Sequence, residues 1–160
     1  MQASLALRGS KQGAWLVEMA TLEKVRAKMS DVGQPSASVD SVALEKELDT
    51  VINANSGISM LLVSTGDGRA IAHRSQNRLD PRRLSAMSNS FLTLGETLSR
   101  ELGLTTADYV TMSTSQGSMV LVRVAADRTY TLAALGHADT SLAILLYVAR
   151  DAAARIKPLL

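Results

Sequence analysis

Apolar positions recur along the chain at two different periods, and the switches between them divide it into elements. Between Asp80 and Gly103 the period is helical. At 100° per residue, Leu84, Met87, Phe91, Leu94, Leu98 and Leu102 fall within an arc of about 80°, a single apolar stripe. Asp80 suits an N-cap, Pro81 the first helical position and Gly103 a helix stop, so the pattern predicts a helix from Pro81 to Leu102 with that stripe against a core. Beside it runs a second stripe of small residues, Ser85, Ser88, Gly95 and Ser99, with Leu92 among them. A glycine inside a helix costs about 1 kcal/mol relative to alanine, so Gly95 points to another backbone coming close there.

The rest of the chain follows the same logic. Trp15, Met19, Leu22, Val25 and Met29 recur at helical spacing within Gly13 to Ser30, and Asp31 to Ser38 has the glycine, proline and serines of a linker. A domain boundary is therefore expected near residue 38, with a helical extension over 1–38 and one domain over 39–160. Leu44, Leu48, Val51 and Ile52 form the apolar face of a helix from Val42 to Ala54, capped by Asp40 or Ser41. Ile58 to Thr65 is almost continuously apolar and predicts an interior strand; a Gly66-Asp67-Gly68 turn returns the chain through Arg69 to Arg74 as a hairpin. Three more strands are predicted at Tyr109 to Thr114, Ser118 to Ala125 and Thr129 to Leu135, the first half polar and so an edge. A closing helix runs from Thr140 or Ser141 to Lys157, before Pro158. The order α-β-β-α-β-β-β-α suits an α/β fold with one five-stranded antiparallel sheet covered by helices.

Composition narrows the functional classes. A chain of 160 residues with 46% hydrophobic and 20% charged positions fits one globular domain plus an appendage. Aromatics make up only 3%, too few for the stacking platforms of single-strand nucleic-acid binding, and the net charge of +2 is small. No nucleic-acid partner is expected. Arg69, Arg74, Arg78, Arg82 and Arg83 do gather between the hairpin and the central helix, as a solvated loop or a contact for an anionic partner. Cysteine is absent, which excludes disulfides, thiolate metal sites and a cysteine nucleophile. The longest apolar run, Leu142 to Ala149, is far short of the ~18 residues a membrane span needs, and the first residues lack the apolar core of a signal peptide. A cytoplasmic protein is expected.

The chain carries no recognisable catalytic pattern. Ser64-Thr-Gly-Asp-Gly-Arg69 lacks the spacing and the lysine of a phosphate-binding loop and reads as a turn. His73 and His137 have no metal-ligand neighbours at suitable spacing, no Gly-x-Ser-x-Gly elbow occurs, and Asp67 and Asp80 are explained as turn and cap residues. An arginine among Arg69, Arg74, Arg82 and Arg83 has the chemistry to stabilise a phosphoryl-transfer transition state, but exposed arginines are common. No enzyme, cofactor or metal is predicted.

The order of elements, with the Val63 to Ala72 hairpin, the Asp80 to Gly103 helix and the Leu132 to Gly136 strand leading into the Ser141 to Leu145 helix start, resembles the Roadblock family of dynein light chains and bacterial GTPase regulators. The resemblance covers about Asp40 to Leu160. It implies a profilin-like α/β/α sandwich that dimerises through the middle helix and the edge strand after it. The implied dimer contacts are Ser85, Ser88, Leu92, Gly95 and Ser99 on the helix, with Tyr109, Thr111 and Ser113 on the strand. It also implies a non-enzymatic module that binds and regulates a Ras-like small GTPase. The chain's own pattern, and not the resemblance, offers Arg69, Arg74, Arg82, Arg83 and Trp15 as candidate partner contacts. The alternatives are a scaffold bridging other proteins, with the Trp15 helix as docking arm, or a ligand-sensing α/β domain.

Overall fold

Residues 39–160 are described by a computed structural model, and the helix and linker expected over 1–38, Trp15 included, lie outside the described residues. The first element, helix α1 (Ser41–Ala54), starts where the Asp40 carboxylate accepts from the amides of Val42 and Ala43, and it buries Leu44, Leu48 and Val51. Strands β1 (Ile58–Thr65) and β2 (Ala70–Ser75) form the hairpin, joined through Gly68 at φ +82°, a conformation open to glycine. Helix α2 (Pro81–Glu101) follows, then β3 (Tyr109–Thr114), β4 (Gly117–Ala125), β5 (Thr129–His137) and helix α3 (Leu142–Ile156). The element order is the one the sequence predicts, with ends displaced by one or two residues.

The five strands form one antiparallel sheet in the order β2-β1-β5-β4-β3. The half-polar β3 lies at one edge. Strand β1 lies inside with both faces covered, which explains its unbroken apolar run. Helices α1 and α3 share one face: Leu44, Leu48, Leu145, Ala149 and Ile156 pack with Leu61, Val63, Val120 and Leu132 in the larger core. Across the top of that layer, Arg155 of α3 pairs with Glu47 of α1 at 2.5 Å.

The face under α2 is different. Its buried apolar cluster is only Met60, Leu62, Leu92, Leu121 and Ala133, and the other buried groups there are small and polar: Ser64, Thr131, Ser85 and Ser88. This corrects the assignment of faces on α2. The small stripe packs down, with Ser85, Ser88 and Leu92 nearly or fully inaccessible, while Met87, Leu94, Leu98 and Leu102 remain 57–64% exposed. Leu84 and Phe91, at the border between the two stripes, are half-buried. Small side chains let the helix backbone approach a sheet whose own groups at this place are short, whereas leucines in the same positions would hold it off.

Candidate functional site

The surface nearest to function is the outer side of α2 with the strand beside it. The helix starts at Asp80, whose carboxylate accepts from Arg82 N at 3.0 Å and Arg83 N at 3.4 Å, with Pro81 in the first turn. The buried Ser85 hydroxyl is satisfied within the helix, donating to the Pro81 carbonyl at 2.7 Å. The underside is fastened in two ways: Leu92 fills the small core, and Glu96 pairs with Arg123 of β4 at 2.5 Å. Both members of that pair are about one-fifth exposed (22% and 21%), so the pair is anchored more firmly than one at an open surface.

Gly95 admits β3. A Cβ placed there would lie 2.6 Å from Val110 Cγ2, so the close approach inferred from this glycine is to a side chain of the same protomer. The two-fold contact expected at Ser85, Ser88 and Leu92 is thereby corrected: these residues are spent on the protomer's own sheet and offer a second copy almost no surface. Gly95 and Ser99 lie at the half-buried margin.

What α2 turns outward is Met87, Leu94 and Leu98, with Leu102 and Leu104 continuing the apolar surface beyond its end. Next to it, β3 alternates between the two faces of the sheet. Val110 and Met112 pair with Leu121 and Met119 on the α2 side, where Met112 is 46% exposed. Tyr109, Thr111 and Ser113 take the opposite face, with the Arg150 guanidinium of α3 lying 5.7 Å from the centroid of the Tyr109 ring. Beyond β3 the sheet has no further strand among the described residues. The exposed leucines of α2 thus lie beside the outermost strand of the described sheet.

The arginines divide into two sets. Gly68 packs its backbone on Ala86, with 3.0 Å from a Cβ there to Ala86 Cα, so the turn carrying Arg69 rests against the first turns of α2, which carry Arg82 and Arg83. All three are exposed. Arg74 is apart from them: its Nε donates to Asp49 at 2.6 Å and its Nη2 to Glu45 at 3.0 Å, and these two acids hold it still more firmly protonated than usual. In the turn, the Thr65 hydroxyl donates to the Asp67 carboxylate and keeps its pKa below the ordinary value. His73 is exposed, and His137 meets Gln76 through its Nε2, 3.2 Å from Oε1. Among the described residues no cluster of three or more His, Asp or Glu side chains stands ready for a metal, and no helix is long and apolar enough to cross a membrane.

The residues that sequence reasoning missed are the exposed leucines. Their signal was present in the neighbouring stripe: serines and a glycine at helical spacing mark the side of a helix that touches a sheet closely, even when a more apolar stripe lies next to it.

Solved structures share this architecture. The chain superposes on MglB of Myxococcus xanthus with a TM-score of 0.68 at 12% identity, covering 79% of this chain and 93% of that one. It superposes on a Roadblock/LC7 domain of Streptomyces avermitilis with a TM-score of 0.64 at 12% identity, over 71% and 94% of the two chains. Profilin II of Acanthamoeba castellanii is similar at a TM-score of 0.52 and 14% identity, over 72% and 97%. The fold is thus the profilin-like sandwich of Roadblock/LC7 and MglB structures. No protein-family model and no curated sequence matches the chain.

Proposed function

We propose that this chain is a dimeric interaction module that binds a Ras-like small GTPase and regulates its nucleotide cycle. The observation that carries the reading is the unburied leucine face of α2 beside the open edge of β3, in a fold it shares with MglB and Roadblock/LC7 structures. Two copies related by a two-fold axis cover both features at once: α2 packs on α2 through Met87, Leu94 and Leu98, while β3 pairs with β3 through Tyr109, Thr111 and Ser113. The dimer contact proposed here is on the outer stripe of α2, with Gly95 and Ser99 at its margin.

The partner contact is the basic end made by Arg69, Arg82 and Arg83. Arg69, Arg82 and Arg83 are exposed and outnumber the two acids at this end, the Asp80 cap and Asp67 of the turn, a balance that favours an acidic surface opposite. Arg74, held by α1, is not part of it. The role is regulatory binding: arginine alone, with no nucleophile or general base placed beside it, suits recognition of a partner's charge. Nucleotide turnover by a candidate Ras-like GTPase, measured with and without this protein and with Arg82→Ala/Arg83→Ala, tests the reading. A changed rate that the double variant reduces is expected, and absence of both binding and rate change overturns it.

A further inference from the structure

Among the described residues the sheet also ends at β2, its second edge. Gln76 N donates to the Ser59 carbonyl at 2.9 Å, and the register places Leu61 opposite Arg74. In an antiparallel ladder, hydrogen-bonded pairs alternate, so the main-chain groups of Arg74 and Gln76 point into the sheet and those of His73 and Ser75 point out of it. Toward the turn, the register shift between Val63 and Ser64 leaves Ile71 as the extra residue of a bulge, which ends regular pairing there. The edge open to an incoming strand is therefore short and centred on His73.

Its central acceptor is already taken. Arg74 Nη1 donates to the His73 carbonyl at 2.9 Å, while the same guanidinium reaches Asp49 and Glu45 of α1 with its other nitrogens. A lone arginine on an exposed strand moves freely; three donors of one planar group, fixed on two elements, do not. The acids come from one face of α1, four residues apart, which sets both within reach of the fork.

We propose that Arg74 is a latch that closes the β2 edge to strand addition, and that the strand it excludes is β2 of a second copy of this chain. A two-fold pairing that sets His73 opposite Ser75 of the second copy stays clear of the bulge at Ile71, and it needs the carbonyl that the guanidinium occupies. Outward unpaired main chain is the standing hazard of an open sheet, and an arginine across it is a local remedy. The latch rests on no feature of α2 or β3, so it stands or falls independently of the dimer and GTPase reading.

The test uses the full chain. Arg74→Ala, followed by sedimentation velocity over a concentration series, is expected to show one association step beyond whatever assembly the wild type forms, about tenfold or more stronger than the wild type shows for that same step. Glu45→Ala/Asp49→Ala, which keeps the arginine but removes both acceptors that anchor it, is expected to show the same step. Adding His73→Pro to either variant removes the outward N–H and should abolish it, provided cooperative melting shows that the variant folds. Loss of folding in Arg74→Ala, seen as loss of cooperative melting, transfers the decision to the Glu45→Ala/Asp49→Ala pair. Sedimentation like the wild type in the variants that fold, or association that survives His73→Pro, overturns the proposal.

Discussion

Replacing Leu98 by aspartate is expected to separate the proposed dimer while leaving each protomer folded. Leu98 is 57% exposed in the protomer, Met87 59%, and Leu94 and Leu102 64%. Full burial of a leucine contributes about 1.5–3 kcal/mol, so covering the part still in water contributes about 1–2 kcal/mol per side chain. A two-fold contact uses each residue twice, so one substitution removes about 2–4 kcal/mol, which is about a 30-fold to 1,000-fold weaker dissociation constant. An aspartate forced into the contact adds a desolvation cost in the same direction. The isolated protomer should lose no more than about 1 kcal/mol, since that side chain sits mostly in solvent. Sedimentation velocity over a dilution series gives the first quantity, and urea denaturation below the dissociation constant gives the second. Leu92→Ala is the matched control on the same helix: fully buried beneath it, Leu92 should cost about 2–5 kcal/mol of folding stability when truncated. A wild type that is monomeric at every concentration, or a Leu98→Asp dimer of unchanged affinity, refutes the reasoning.

Two further variants probe the bed on which α2 rests. Thr131 is fully buried and its hydroxyl has no hydrogen-bond partner among the described residues, so Thr131→Val should raise stability by about 1 kcal/mol; a loss in urea denaturation would show that the hydroxyl is paired. Gly95→Ala should forfeit the helix-propensity gain of about 1 kcal/mol because its methyl meets Val110, and adding Val110→Ala should restore more than the two single effects predict. Additive effects in that cycle would show that the contact between helix and strand is not tight.

Much of this architecture was legible from the chain. The caps at Asp40, Asp80 and Ser141 stand where the sequence puts helix starts, because a cap acts on amides two or three residues away. The strands were readable for the same reason, and the polar alternation of Tyr109 to Thr114 marked an edge correctly. The basic end was partly legible: Arg69, Arg82 and Arg83 are near in sequence and their elements touch, whereas the capture of Arg74 by Glu45 and Asp49 depends on α1 crossing β2.

The sequence by itself determined the central helix, its length and its two adjoining stripes, since periodicity is a property of neighbours along the chain. Only the tertiary structure decided which stripe lies inward. That choice belongs to residues distant in sequence, Ser64, Val110, Arg123 and Thr131, which offer α2 a shallow, partly polar bed. Serines and a glycine fit such a bed closely and leucines do not, so the most apolar side of the helix faces outward.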